Sequence, residues 1–239
     1  MFFYNESNNE TLQGQPESSG IVSDNLTFHL DSSNTNSYPG TGTTWTSLVN
    51  SSHVGTFAGD PTFNPAEANS IDLDGNDHIE INDSSLFDFS GDFTIGVWMK
   101  LDQIGQSAGA SVVWSTDVLD QFQFHIVPSS PTTMSLGINN SMNNFVVSSS
   151  PVGRWMYLVF SRTSGVISAY ENGALIGTSS NNGSINCSAF YLGVQTPSRV
   201  PFYGHYTDGK FGALEVYSDG LTGAEVLQNF EAEKSRFGL

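Results

Sequence analysis

The chain has 239 residues, 38% of them hydrophobic, with 24 acidic side chains against 7 Lys and Arg and a formal net charge of −17. That length can bury one substantial core. The charge repels nucleic-acid phosphates and anionic membrane surfaces, so neither is expected as a partner. No Lys or Arg precedes Lys100. The plain reading of this acidity is a solubility surface screened by salt; the sharper one is that part of it holds divalent cations. A lone cysteine, Cys187, forbids an internal disulfide, which fits assembly in a reducing cytoplasm.

Residues 1–20 are polar once Phe2, Phe3 and Tyr4 are passed, and too poor in apolar residues to order themselves. They are expected to form a flexible arm, with the three leading aromatics as its anchor on a partner. The pattern of a secretory leader is not expected there, because Met1-Phe2-Phe3-Tyr4 is too short an apolar run and no basic residue precedes it.

Residues 21–239 read as one all-β domain. Leu26, Phe28 and Leu30 alternate with Thr27, His29 and Asp31, the pattern of a half-buried strand. A long loop follows, in which Tyr38 and Trp45 are candidate aromatic platforms. Ser70 to Ile81 reads as a hairpin around Gly75. Phe93, Ile95, Val97, Met99 and Leu101 alternate, as do Phe122, Phe124 and Ile126, then Met134, Leu136 and Ile138. Gly105-Gln106-Ser107-Ala108-Gly109 matches a G-x-S-x-G nucleophile elbow, but a strand at Ser111–Trp114 follows where the elbow needs a helix.

Gly153 to Gly173 is the densest stretch. Trp155, Tyr157 and Val159 take one face of a strand and Met156, Leu158 and Phe160 the other, so both faces should be covered. A turn at Thr163-Ser164-Gly165 leads to a strand, Val166 to Glu171, that ends in Asn172-Gly173, a strong signal for a type I′ hairpin. Trp98 and Trp155 are expected in the core. Cys187 beside Phe190 and Leu192 reads as a small buried hydrophobe. Near the end, Thr222 and Glu225 form a capping box and Leu221 and Val226 a hydrophobic staple. They predict one short C-terminal helix, with Val226, Leu227, Phe230 and Phe237 as its apolar face.

The five histidines lack zinc-type spacing. The acids Asp72, Asp74, Asp77, Glu80, Asp83, Asp88 and Asp92 crowd one segment, and loop carboxylates around Gly75 suit calcium, which takes several oxygens. A loop with Tyr203, His205 and Tyr206 offers aromatic surface before the last strand.

Four blocks resemble the laminin G-like, concanavalin A-type jelly-roll family: Ser70–Ile81, Asp92–Met99, Gly153–Gly173, and Asp208–Tyr217 with Leu221–Val226. The resemblance implies a two-sheet jelly-roll sandwich with a short C-terminal helix. Many members carry a structural calcium joining first and last strands, which adds Asp31 and Asp208 to Asp74 and Asp77 as candidate ligands; no cofactor is otherwise required. Glycan binding in such folds implies Tyr203, His205, Tyr206, Tyr38 and Trp45. The family's glucanases resemble one another in an E-x-D-x-x-E strand, which this sequence lacks: Glu80 has His78 and Asn82 as same-face neighbours, and Glu215 has Ala213 and Tyr217. No catalytic residue is therefore assigned.

The segment Leu26 to Trp45, with Leu48 and Gly55-Thr56-Phe57, resembles laminin G-like modules in structural proteins of tailed, often marine, phages, except that Ser47 replaces the usual aspartate. It implies a non-enzymatic virion structural protein on a phage head or tail, attached by its arm to other virion proteins, that either decorates the capsid or touches cell-surface polysaccharide, with a homo-oligomer as one option. A glycan-binding adhesion module of a bacterial surface and a divergent glycosidase are the alternatives.

Overall fold

The computed structural model describes residues 20–105, 110–118, 121–195 and 205–239. The anchoring expectation for Phe2, Phe3 and Tyr4, and the platform expectation for Tyr203, lie outside the described residues.

Two antiparallel sheets stack face to face. The first contains β1 (Leu26–Asp31), β4 (Thr62–Asn64), β5 (Ser70–Asp74), β7 (Phe93–Gln103), β12 (Met156–Thr163), β13 (Val166–Glu171), β14 (Ala174–Ser180) and β16 (Asp208–Tyr217). Its order is β14-β13-β12-β7-β16-β5-β4, with β1 also on β16. Long β16 serves two neighbours along one edge: Asp208–Phe211 pairs with β5, and Ala213–Tyr217 with β1. The second sheet runs β11-β10-β9-β8-β15-β6-β3-β2. Its strands are β2 (Thr44–Thr46), β3 (Val54–Ala58), β6 (His78–Ile81), β8 (Ser111–Thr116), β9 (Phe122–Ile126), β10 (Thr133–Ile138), β11 (Ser141–Val146) and β15 (Phe190–Leu192).

The alternating residues of both sheets meet in the main core, where Phe28, Ile95, Trp114, Phe124, Phe160 and Phe190 are buried together. The hairpins follow their turn chemistry. Asn172 and Gly173 have φ of 51° and 79°, the two positive values a type I′ turn requires.

Among the described residues one α-helix, α1 (Gly223–Glu233), and a 3-10 turn (Lys234–Phe237) lie on the outer face of the first sheet. The capping box forms as read, with the Thr222 hydroxyl accepting from Glu225 N and the Glu225 carboxylate from Thr222 N. Under α1 lies a second apolar layer of Trp98, Tyr157, Val159, Tyr217, Val226 and Phe237. This layer is why β12 is buried on both faces. Trp98 is fully buried there, stacked on Phe237 at 4.0 Å, whereas Trp155 is only partly buried against the same layer. Leu227 departs from the expected apolar face: it is 45% exposed, and Asn229 takes the buried position instead. Its amide donates to Glu215 and Tyr217 and its Oδ1 accepts from Val22 N, so a polar network joins helix to sheet.

Candidate functional site

Strand alternation decides what the outer face of the second sheet presents. Ile79 and Ile81 of β6 point into the core, so His78 and Glu80 point outward; Phe190 and Leu192 of β15 do the same for Tyr191. Register then sets Tyr191 directly opposite Glu80, and Glu80 opposite Thr56 of β3. Tyr206 joins from the segment before β16. The Val194–Tyr206 bridge, the Gln195 N to His205 O bond and the Thr207 N to Gly193 O bond clamp that segment to the end of β15.

The result is a half-buried aromatic patch. The His78 ring lies 6.1 Å from Tyr191 and 6.3 Å from Tyr206, each in a tilted or edge-on contact. Glu80 accepts from Asn82 and approaches His78 Nε2 at 3.3 Å. His78 Nδ1 is buried without a partner. Burial, followed by the Glu80 charge, raises the Tyr191 phenol above its ordinary value, so it stays a neutral donor. Burial likewise lowers the His205 imidazole and raises Tyr206.

Beside the patch, at the same end of the sandwich, a cleft of ≈ 360 Å³ is lined by Asp60, Thr62, Asp72, Asp74, Asp77, Asp102 and Asp208. The β5–β6 turn supplies Asp74 and Asp77, and the start of β16 supplies Asp208, held opposite Asp74 by register. Asp77 is buried and its carboxylate accepts from the backbone N–H groups of Asp60 and Asp74. Burial nevertheless raises it above the ordinary carboxylate value. Lys210 answers part of this charge through Asp72 and Asp102.

The expected calcium ligands are thus partly gathered. Asp74, Asp77 and Asp208 share the cleft. Asp31 does not: β1 pairs with the far half of β16, and Asp31 is bound there by Arg236 Nη1 at 2.6 Å. Of the expected platforms, Tyr206 joins the patch and His205 adjoins it.

Trp45 and Tyr38 are core residues instead. Trp45 is fully buried on β2, and Tyr38 packs on Phe57 and Phe63 while its hydroxyl donates to Gly42 O. Neither ring presents a face to a ligand. The sequence does not single out His78 and Tyr191 as site residues, and it offers Glu80 only as one acid of a cluster. Alternation within 78–81 and 190–192 would have turned them outward, but nothing in the sequence pairs segments so far apart.

Two other expectations are settled by burial. Cys187 is buried, and desolvation pushes its thiol up to about 12, so it is inert. Glu215 is fully buried beneath α1, out of reach of any polysaccharide.

The architecture is that of a lectin-like jelly roll. The chain belongs to the concanavalin A-like lectin/glucanases superfamily, whose family model matches residues 73–227. Solved structures share the fold at low identity. Domain 4 of AbnA, a GH43 extracellular arabinanase from Geobacillus stearothermophilus, in complex with arabinotriose, superposes with a TM-score of 0.65 at 18% identity, covering 85% of this chain and 97% of that one. A botulinum neurotoxin type C structure, whose cell entry is described as dependent upon interaction with two ganglioside molecules, gives 0.65 at 14%, over 87% of this chain. This chain spans 51% of that toxin chain. A Trypanosoma rangeli sialidase in complex with sialic acid gives 0.68 at 12%, covering 91% of this chain and 34% of that one. No curated protein matches the chain.

Proposed function

We propose that this protein is a non-catalytic glycan-binding module, and that the sugar docks on the patch of His78, Glu80, Tyr191 and Tyr206. The observation that carries this reading is the placement of two tyrosines and a histidine beside an outward carboxylate on a rigid sheet face. Aromatic rings cover the apolar C–H faces of a pyranose, and a carboxylate accepts from its hydroxyls, which is the usual division of labour in small-ligand sites. The superfamily membership and the sugar complexes of the fold neighbours support it.

The electrostatics narrow the ligand class. Glu80 and the adjoining aspartate cleft repel anionic sugars, so neutral polysaccharides are favoured and acidic ones need a bridging divalent cation. The cleft of Asp74, Asp77 and Asp208 is our proposed calcium locus. The absence of catalysis is likewise part of the proposal: Glu80 has no carboxylate beside it on its strand face, and Glu215 is sealed from solvent.

The setting we infer is a virus particle, with residues 1–20 attaching the sandwich to other virion proteins and the patch facing outward. The resemblance of residues 26–57 to phage modules supports that setting.

The test is retention on immobilised laminarin, agarose and alginate, with and without calcium. Wild type should be retarded by a neutral polysaccharide, and Tyr191→Ala or Tyr206→Ala should each lose about threefold to tenfold in affinity, since one aromatic stacking partner contributes roughly 0.5–1.5 kcal/mol. Wild-type retention that survives both substitutions would overturn the assignment.

A further inference from the structure

Beneath α1, on the outer face of the first sheet, three ionisable side chains converge away from the patch and the cleft. His29 and Glu215 are register partners on β1 and β16, and Glu233 closes over them from the last turn of α1. Each offers a ligand atom, and these atoms all lie within 4.8 Å of one another. Each residue also has a buried polar atom without a hydrogen-bond partner: His29 Nε2, Glu215 Oε1 and Glu233 Oε2. Unpartnered polar atoms on three residues of one buried cluster are costly unless something occupies the space between them.

The Trp98 indole N–H faces Glu233 and favours its charged form, but among the described residues no cation is free to enter the cluster. Arg236, the nearby cation, is committed elsewhere: Nη1 to Asp31, Nη2 to Ser32 Oγ and Gly212 O, and Nε to Ala68 O. Lys234 pairs with Glu231. The second oxygen of Glu215 is held by the Tyr157 hydroxyl at 2.6 Å and the Asn229 amide at 2.9 Å, which fixes the carboxylate and leaves Oε1 without a hydrogen-bond partner. Outer partners of this kind orient ligand carboxylates in metal sites.

From this geometry we infer that His29, Glu215 and Glu233 form a structural binding site for a divalent transition ion of the zinc type, clasping the first strand, the last strand and the C-terminal helix. The donor set selects that class. One imidazole nitrogen and two carboxylates suit Zn²⁺, with bonds of about 2.0–2.2 Å and a fourth position left to water. Calcium, which takes 6–8 oxygens, is a poor match. A tetrahedral ion needs its donors roughly 3.3–3.5 Å apart, so small rotamer shifts complete the site. Burial supports the ligand state of the histidine. Desolvation, opposed by Asp31, holds it at about 4, neutral and with a free lone pair at neutral pH. Two buried carboxylates facing each other must otherwise hold protons, and burial first, then neighbouring acids, push Glu215 to about 7 and Glu233 to about 8.

The experiment uses the full chain, stripped with chelator and titrated with Zn²⁺ and, as a spectroscopic probe, Co²⁺. The expected result is one tight equivalent, visible Co²⁺ d–d absorption, and a melting temperature raised by several degrees, since an ion that binds only the folded state at 100 times its Kd stabilises by about 2.7 kcal/mol. His29→Gln and Glu233→Gln should each weaken binding at least tenfold, while Asp74→Asn with Asp208→Asn should leave it intact. Glutamine keeps shape and removes the buried charge, so Glu233→Gln should fold without metal and melt no lower than stripped wild type. Folded wild type that takes up neither ion at 100 µM would overturn the site, as would binding unaffected by Glu233→Gln. If Glu233→Gln fails to fold, uptake by wild type and its loss in His29→Gln decide the question.

Discussion

Arg162 ends β12, and its removal should cost more stability than that of any surface charge. Its side chain is 2% exposed, and no carboxylate among the described residues is bonded to it. Its guanidinium instead donates to three backbone carbonyls: Nε to Gly91 O at 2.8 Å, Nη1 to Gly183 O at 2.6 Å, and Nη2 to Phe89 O at 3.0 Å. It also stacks over Phe93 at 4.7 Å. One side chain thereby ties the loop before β7 and the segment after β14 to the sheet. Arg162→Met keeps the apolar stem and leaves those carbonyls unpaired. At roughly 1–3 kcal/mol per buried orphan, and allowing water to reach the two partly exposed ones, the loss is about 3–5 kcal/mol. For a domain of this size that is a fall of about 10 °C in melting temperature. Arg162→Lys, with one compact donor group instead of a planar fork, should lose somewhat less. The assay is a thermal melt paired with urea unfolding at constant m-value. If Arg162→Met melts within about 2 °C of wild type, the carbonyl clamp is not what holds this corner.

Three further outcomes follow from named contacts. Thr222→Ala removes the helix cap and should cost about 1 kcal/mol, read by urea midpoint; no change would show that packing alone sets the start of α1. Below about pH 5 Glu171 and Asp83 should withdraw stability, against the gain from the raised Glu215 and Glu233. Burial alone would raise Glu171, but Ser148 N, Ser148 Oγ and Arg154 outweigh it and hold the folded value below the ordinary one, and Ser85 does the same for Asp83. A depressed carboxylate contributes stability above its unfolded pKa that is lost as pH falls through its folded one. Glu171→Gln should flatten that acid limb, and an unchanged limb would refute the assignment. Millimolar calcium should raise the melting temperature, and Asp74→Asn with Asp208→Asn should abolish the rise; a rise that persists would remove the cleft as the calcium locus.

The fold was legible because its signals are local. The Val166–Glu171 strand with Asn172-Gly173, and the Thr222/Glu225 box, each need only a few neighbouring residues, and both form as read. What sequence could not show is what lies across a sheet or beneath a helix. Trp45 sits on a strand of three residues, too short to display alternation, inside a stretch that otherwise reads as loop. Tyr191 meets Glu80, and His29 meets Glu215, only through register between segments far apart in the chain. Glu215 reads as an acid standing singly between Ala213 and Tyr217 because its partners come from the first strand and the last helix. The family resemblance groups Asp31 with Asp208, and the division of β16 between β5 and β1 separates them.

Sugar binding at the His78–Tyr191–Tyr206 patch can be read residue by residue. The most direct measurement is amide chemical-shift mapping on isotope-labelled protein as a neutral oligosaccharide such as laminarihexaose is added to millimolar concentration. Saturable shifts should concentrate at residues 78–80, 191 and 205–207, with the β11 and β14 edges unmoved. Shifts centred on those edges, or no shifts with any neutral oligosaccharide tried, would contradict binding at the patch.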